Sequence, residues 1–183
     1  MPRRLAPPDP ALADDLIRLE PLTQAYAPDM LALSYDPDVV RFTRVPEAAD
    51  AAFVEGWLGR YESGWEDGAR AGFAIVDAGD GSFLGFAALV HVDLDALETE
   101  IGYMVAPAAR GRGVAARSVD LLTRWSFEEL GLERLELRID VDNPGSIKVA
   151  GRCGYRLDGV LRNLHVKDGR RADVGVWSRL RQD

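Results

Sequence analysis

A run of thirteen residues past the middle of the chain, VAPAARGRGVAAR (105–117), combines positive charge with glycine-rich backbone and contains no acidic residue. Its three arginines and two glycines are Arg110, Arg112, Arg117, Gly111 and Gly113. The whole chain, in contrast, is acidic, with a formal net charge of -8 at pH 7. Glycines let backbone amides approach phosphate oxygens closely, and a helix that starts here would present unpaired N–H groups to an anion. The run therefore predicts an anion site, and a pyrophosphate fits it best.

Two common pyrophosphate sites fit the run poorly. The P-loop string G-x-x-x-x-G-K-[ST] is absent from the chain. The dinucleotide fingerprint G-x-G-x-x-A is matched by Gly111, Gly113 and Ala116, and Glu136 lies 20 residues after Ala116. That fingerprint normally follows the first strand of an alternating βαβ series, whereas this run follows several antiparallel-looking strands. A solvated basic loop that only caps a helix is the remaining alternative.

Composition limits the class of protein. A chain of 183 residues with 47% hydrophobic residues indicates one soluble globular domain. The acidic charge argues against a nucleic-acid partner and weakly favours cationic substrates such as amines. The single cysteine, Cys153, cannot form an internal disulfide and is expected to be a buried structural residue in a reducing cytoplasm. No apolar run is long enough to span a bilayer, so we expect no membrane partner. We also expect a cytoplasmic monomer or homodimer that holds no metal.

Hydrophobic periodicity places the anion run between a strand and a helix. Alternation predicts a strand over 99–106, and apolar residues three or four apart predict a helix from about 113 to 130 that Gly131 closes. Unpaired N–H groups and the partial positive charge of this helix start would both favour an anion.

Strands dominate the rest of the chain. Further strands are predicted over 16–22, 71–77, 83–93, 134–141, 155–166 and 171–180, and further helices over 23–35, 50–64 and 146–154. The string DPD (36–38) is expected to break the first helix, and Asp168-Gly169 predicts a hairpin between the last two strands. The Pro-rich residues 1–15 are expected to form a flexible arm, followed by a single domain over 16–183.

The order of these motifs resembles the GNAT N-acetyltransferase superfamily. The string RGRGVA is similar to its [RQ]-x-x-G-x-[GA] loop, and EIGYMVAPAARGRGVA resembles its fourth strand, loop and long helix. The segment VDNPGS followed by IKVAGRCGYRLDGVLRN resembles its fifth strand, short helix and sixth strand, and DGRRADVGVWSRL resembles the closing hairpin of the ribosomal-protein N-terminal acetyltransferases (Rim type). The resemblance implies an α+β fold, with a mixed, mostly antiparallel sheet flanked by helices and splayed between the fourth and fifth strands.

The resemblance also implies where acetyl-coenzyme A binds. Its pyrophosphate would lie on the backbone amides from Gly111 to Ala115, its pantetheine arm would pair with the fourth strand, and its thiol end would reach the segment before the short helix. The cofactor residues implied in this way are Met104, Val105, Arg110, Gly111, Arg112, Gly113, Val114, Ala115, Asn143 and Ser146. A serine N-cap at Ser146 would serve the short helix as well.

Direct attack of an amine on the thioester is the implied chemistry. It requires a neutral amine, a polarised carbonyl and a proton for the thiolate, and the backbone N–H near Val105 could polarise the carbonyl. Glu100 matches the acidic position that many members use as a base, while His165 is a second candidate base, because imidazole is a common general base near neutral pH. The tyrosine that many members use to protonate the thiolate is replaced by Ala150, so Ser146 or a water would act instead.

Three functional hypotheses remain open, two of which differ in the acceptor. The Rim-like segments favour the α-amine of a peptide or protein, and a small amine such as an amino acid, polyamine or aminoglycoside is the nearest alternative. A non-catalytic acyl-CoA-binding module is an alternative of another class, because the usual tyrosine is missing.

Overall fold

Seven strands form one mixed sheet in the computed structural model, which describes residues 4–167 and 169–183. In chain order the strands and α-helices are β1 (Ile17–Pro21), α1 (Ala27–Ser34), α2 (Pro37–Phe42), α3 (Ala51–Asp67), β2 (Ala71–Asp77), β3 (Phe83–Asp93), β4 (Glu98–Val105), α4 (Val114–Glu128), β5 (Arg134–Asp140), α5 (Pro144–Arg152), β6 (Arg156–Lys167) and β7 (Arg170–Leu180). The strand order is β1-β2-β3-β4-β5-β7-β6. Every neighbouring pair is antiparallel except β4 and β5. The predicted mixed, mostly antiparallel sheet is therefore confirmed.

The parallel pair β4–β5 separates soon after it forms. Only three residues of each strand are in register, Glu98–Glu100 against Arg134–Glu136, although each strand continues beyond them. From Ile101 onward β4 has β5 as a neighbour in the strand order but not as a hydrogen-bonding partner. The predicted splay between the fourth and fifth strands is confirmed, and it leaves a gap with backbone groups along one side.

Alternation along the strands produces two apolar layers, one on each face of the sheet. One layer packs α4 on the sheet through residues such as Phe73, Leu89 and Leu122. The other packs α1 and α3 on the opposite face through residues such as Leu58 and Phe86. The helices thus hold β4 rigidly on both faces, which fixes the side of the gap that β4 forms.

Two helix starts differ from the sequence predictions. The string DPD does end α1, but Asp36 also begins α2, because its carboxylate accepts from the backbone N–H groups of Asp38 and Val39. An aspartate N-cap followed by proline is a common helix start. The N-cap of α5 is Asn143 rather than Ser146, since the Asn143 side chain accepts from the Ser146 N–H at 3.1 Å. The serine-cap prediction is therefore wrong.

The N-terminal segment and the last two strands were also described in the sequence predictions. Within the segment predicted to be a flexible arm, Leu5 is buried and donates its N–H to the carbonyl of Trp65 at 2.9 Å. The flexibility of that arm stays a prediction. The strands β6 and β7 pair antiparallel as predicted, while Asp168 of the predicted Asp168-Gly169 turn lies outside the described residues.

Candidate active site

The loop before α4 exposes backbone amides at the start of a helix. Gly111 and Gly113 have φ values of 77° and 84°, a conformation that side chains rarely adopt. Among the described residues, no side chain caps the helix at Gly113, and a Cβ built at either glycine would meet no atom within 4 Å. The N–H groups of the first turn, including Val114 and Ala115, therefore face an open cradle. This donor set fits a pyrophosphate.

The three arginines of the 105–117 run are all paired with aspartates. Arg110 bonds to Asp36 and Asp38, Arg112 to Asp77, and Arg117 to Asp14 and Asp15. Their charge is thus largely balanced within the protein, so the helix start and its glycines are the main attraction for an anion. The guanidinium groups of Arg112 and Arg117 are more than a third exposed, which leaves them able to turn toward a bound phosphate.

Backbone groups of β4 point into the gap at alternate residues. The Ala106 N–H donates to Leu84 on the β3 side, so the backbone of Met104 also faces β3 while that of Tyr103 and Val105 faces the gap. Consistent with this, the Val105 carbonyl accepts from Arg110 Nε at 3.2 Å. Met104 and Val105 both line the gap, and the Val105 N–H is directed into it.

A cavity of about 740 Å³ occupies the gap, a volume typical of small-ligand sites. Its walls are the β4–α4 loop, the α2 segment and the start of α5. All the predicted cofactor residues line this cavity except Arg112, which lines a smaller one beside it. The structure thus brings Asn143 and Ser146 to the same space as the helix start, as expected for a ligand with a phosphate at one end and a thioester at the other.

Glu100 lies at the point where β4 and β5 part. It is in the last register pair of the two strands, opposite Glu136, and its carboxylate is 3.5 Å from Arg138 Nε. Burial raises the pKa of Glu100 above its usual value, while the positive charge of Arg138 opposes the rise. The side chain is 22% exposed. Although Glu100 is outside the lining of the cavity, its position at the apex of the gap is compatible with a base that acts directly or through water.

His165 forms a pair with Asp140 instead of standing on an open surface. Its Nδ1 is 2.8 Å from a carboxylate oxygen of Asp140, and both side chains are about nine-tenths buried. Its Nε2 is buried with no hydrogen-bond partner among the described residues. His165 does not line the cavity, whereas Ser146 does.

Sequence reasoning missed Tyr103 as a residue of the site. Tyr103 lines the cavity together with Ser146. Burial raises the pKa of Tyr103 to about 12, and a side-chain hydrogen bond with Ser146 opposes the rise. Ala150, at the position of the expected tyrosine, is fully buried. Side chains alternate along β4, so Tyr103 is on the face opposite to Glu100, and no local signal in the sequence indicates that it lies with Ser146.

Cys153 is a structural residue, as predicted. It is buried at the end of α5, and its thiol donates to the Ala116 carbonyl at 3.3 Å. Burial raises the pKa of Cys153 to about 11, so the thiol is protonated near neutral pH and is a poor nucleophile.

The comparison with protein families decides the class. Residues 17–156 match the family described as the acetyltransferase (GNAT) domain. The chain belongs to this family. It is an N-acetyltransferase that uses acetyl-coenzyme A as the acyl donor, which settles the choice between an enzyme and a binding module and sets aside the dinucleotide reading.

Relatives of this chain differ in their acceptors. YdaF of Bacillus subtilis, a proposed ribosomal N-acetyltransferase, is 28% identical over 78% of this chain and 76% of its own length. The spermidine N(1)-acetyltransferase of Vibrio cholerae serotype O1 is 26% identical over 62% of this chain and 65% of its own length. The crystal structure of RimL, a ribosomal L7/L12 alpha-N-protein acetyltransferase in complex with coenzyme A, has a TM-score of 0.84 at 16% identity, covering 93% of this chain and 97% of that one.

Two further features of the described residues concern partners. No group of three or more His, Cys, Asp or Glu side chains there is arranged to hold a metal ion. None of the helices in residues 4–167 and 169–183 is both long and apolar enough to cross a membrane.

Proposed function

We propose that this acetyltransferase modifies the N-terminal α-amine of a peptide or protein. The amine attacks the thioester directly in a ternary complex. Acetyl-coenzyme A places its pyrophosphate on the amides from Gly111 to Ala115, with Arg112 nearby, and its thioester near Val105, Asn143 and Ser146. The similarity to YdaF and the Rim-like closing strands support a protein acceptor.

The pairing of the carboxylates around the gap is the observation that carries the choice of acceptor. Each has a cationic or imidazole partner: Glu100 and Glu136 with Arg138, Asp140 with His165, Asp142 with Arg41, and Asp38 with Arg110. A polyamine carries several positive charges and would have to displace these partners. An α-amine carries one charge and loses it before attack, so the existing pairs can stay in place.

Exposed apolar side chains at the end of the gap favour a peptide acceptor, because the residues after its α-amine can contact them. Val141 donates its N–H to Asp173 on β7 at 3.0 Å, which places it beside the paired ends of β6 and β7. Leu164 and Val166 are on that part of β6, and all three apolar side chains are more than 40% exposed. A peptide offers side chains that can contact this corner, whereas a polyamine does not.

The reaction follows from this placement. Glu100 accepts a proton from the attacking amine, directly or through water, and the Val105 N–H donates to the carbonyl oxygen as it becomes negative. The C–S bond then breaks, and its electron pair leaves with sulfur. Ser146, near the thiol end, or a water supplies a proton to that sulfur.

A competition assay separates the two acceptor hypotheses. Wild-type protein and acetyl-coenzyme A are mixed with equal amounts of a peptide with a free N-terminus, the same peptide N-terminally blocked but with a free lysine, and spermidine, and the products are quantified by mass spectrometry. We expect kcat/KM for the free α-amine to exceed the other two by about 10-fold or more, since near pH 8 about half of that amine is neutral, whereas the alkylamines are almost entirely protonated. Preference for spermidine would replace the proposal with the small-amine hypothesis.

The pH dependence provides a second readout of the same choice. An α-amine has a pKa of about 8 and a lysine or polyamine amine about 10. With the peptide we expect kcat/KM to rise with pH and to level off just above about pH 8. A rise that continues to about pH 10 would indicate that the reacting group is an alkylamine.

A further inference from the structure

The strand β6 is an edge strand that is open on both faces. It is at the end of the strand order and pairs only with β7 among the described strands. Every residue from Arg156 to Leu164 is exposed, and because successive side chains in a strand point to opposite faces, neither helix layer covers this part of β6. Its large apolar side chains are about half exposed, and they are Leu157, Val160, Leu161, Leu164 and Val166. A long apolar edge of this kind is a site where another chain can pair.

The opposite edge of the sheet shows how this chain covers an edge strand. The Leu19 N–H of β1 donates to the Leu12 carbonyl at 2.8 Å, and the Asp14 N–H donates to the Ile17 carbonyl of β1 at 2.9 Å. Residues 12–14 therefore run along the outer edge of β1, which is only five residues long. The twelve residues of β6 have no such cover among the described residues. The difference indicates that the partner of β6 comes from another polypeptide.

The end of β6 and the start of β7 carry positive charge in an acidic chain. The segment GVLRNLHVKDGRRA (159–172) contains four Lys and Arg residues and one acidic residue, whereas the whole chain has a net charge of -8. Arg162 and Arg170 are exposed, and their side chains have no ion pair or hydrogen bond in the described part of the chain. The arginines of the 105–117 run, in contrast, are all paired with aspartates. Free arginines beside an apolar edge are complementary to an acidic partner.

The same end of β6 lies beside the gap. His165 bonds to Asp140 at the end of β5, and Lys167 Nζ donates at 3.2 Å to the carbonyl of Thr43, which lines the cavity. Only β7 separates β5 from β6, so the outer edge of β6 is about 10 Å from β5. About three extended residues cross that distance. A peptide with its α-amine in the gap can therefore reach the edge of β6 from about its fourth residue onward.

We propose that the acceptor is a protein whose N-terminus is followed by an acidic segment with alternating apolar residues, and that this segment adds to the outer edge of β6 as a further strand. This inference rests on the proposed function, because the α-amine of the same acceptor enters the gap. The backbone of β6 would hydrogen-bond to the backbone of the segment. Apolar side chains of the segment would contact Val160 and Leu164, and its carboxylates would pair with Arg162 and Arg170.

The same features favour this occupant over others. A second copy of β6 would bring Arg156 and Arg162 of two chains together, and the one acidic residue of the strand, Asp158, is already bonded to Arg134 at 2.8 Å. An anionic lipid or a nucleic acid would satisfy the arginines but offers no peptide backbone to the open edge of β6. An acidic polypeptide satisfies the arginines, the apolar side chains and the backbone groups together.

Acceptor peptides with different extensions test this surface. Each has the same free four-residue N-terminus, followed by eight residues that alternate valine with glutamate or valine with lysine. At low ionic strength we expect KM for the glutamate peptide to be about 10-fold lower or more, with similar kcat, because the extension contacts β6 and not the reacting atoms. The ratio should decrease as salt is added. N-methylation of the amides on one edge of the glutamate extension should remove the advantage, and N-methylation on its other edge should not.

Charge reversal locates the contact on the protein. The double variant Arg162→Glu/Arg170→Glu should abolish the preference for the glutamate peptide and leave activity on the four-residue peptide unchanged. Arg60→Glu is the matched control, because Arg60 is exposed on α3 and its guanidinium bonds to the Gly56 carbonyl of its own helix. This control should keep the preference.

Equal KM values for the two extended peptides in the wild type, or equal loss of the preference in Arg60→Glu and the double variant, would overturn the inference. A dimer in sedimentation that Val160→Arg dissociates would also overturn it, since a second copy would then cover β6. A glutamate peptide with a blocked, fluorescent N-terminus separates this inference from the proposed function. If that peptide binds the wild type but not the double variant, while no free peptide is acetylated, the docking surface is confirmed and the proposed function fails.

Discussion

Glu100 and Glu136 are the same side chain on adjacent strands, but their surroundings differ. Glu136 bonds to Arg134 at 2.7 Å and to Arg138 at 3.3 Å. Among the described residues, the ion pair of Glu100 is a longer one, 3.5 Å to Arg138, and burial raises its pKa. A carboxylate with raised pKa and few bonds is the better base, since its charge is less stabilised by partners.

Replacement of these two residues tests the base. We expect Glu100→Gln to lower kcat by about 100-fold or more with acetyl-coenzyme A affinity intact, and Glu136→Gln to leave kcat near the wild-type value. The measurement is a pH profile of kcat/KM at saturating acetyl-coenzyme A, with His165→Ala as a third variant. If the loss and the acidic limb of the profile follow His165→Ala instead, His165 is the base and Glu100 is not.

The same carboxylate affects stability in a defined direction. Because the folded-state pKa of Glu100 is raised, its neutral form is favoured by folding, and that contribution is lost as pH rises through the folded pKa. Glu100→Gln should therefore increase Tm at neutral pH but not below the unfolded pKa of a glutamate. A catalytic base that lowers stability in its working form is a common compromise of active sites.

At the scale of elements, α2 is fastened to the anion loop by Arg110. Its guanidinium bonds to Asp36, the N-cap of α2, whose side chain is only 8% exposed. Burial alone would raise the pKa of Asp36, but hydrogen bonds from Arg110 and from the Val39 N–H hold it below its usual value. Since Asp36 lies 74 residues from Arg110 in the chain, this pair determines where α2 lies as a wall of the cavity.

Comparison of two arginines tests the fastening. Arg110→Ala should lower the free energy of unfolding at neutral pH by about 1 kcal/mol, whereas Arg41→Ala, which loses an exposed pair with Asp142 and an exposed contact with the Phe42 ring, should lower it by less. The lowered pKa of Asp36 stabilises the fold above its unfolded pKa, and that contribution is lost as pH falls through the folded pKa. The difference in the free energy of unfolding between wild type and Arg110→Ala should therefore become smaller as pH falls, which urea titrations at acidic pH would measure. A difference that is independent of pH would contradict this account.

Sequence reasoning was most successful where the determinants are local. The strands and the glycine-rich helix start depend on alternation and on residues within a few positions of one another, so they could be predicted, whereas the splay was expected only from the resemblance to the family. The contacts of Arg110 with Asp36, and of His165 with Asp140 25 residues away, join distant parts of the chain, so no local pattern indicated them. The burial of the Tyr103 hydroxyl near Ser146 is likewise a property of the packed molecule. The helix α2 was missed for another reason, since Asp36-Pro37 is a start signal as well as a break.

At the scale of the whole molecule, the proposed site for acetyl-coenzyme A is the gap between β4 and β5. Any ligand that binds only the folded state stabilises it, by about 2.7 kcal/mol at a hundredfold excess over its dissociation constant. Acetyl-coenzyme A should therefore raise Tm, and NAD should not.

The most direct test of the cofactor site uses two glycines at opposite ends of α4. Gly113 and Gly131 have φ values of 84° and 69°, and a Cβ at either would meet no atom within 4 Å, so Gly113→Asp and Gly131→Asp should strain the backbone to a similar extent. Only Gly113→Asp would place a carboxylate against the pyrophosphate, and we expect it to weaken acetyl-coenzyme A by about 100-fold or more in a calorimetric titration, with Gly131→Asp near the wild-type affinity. Wild-type affinity in Gly113→Asp, or equal losses in both variants, would contradict the placement of the cofactor at the start of α4.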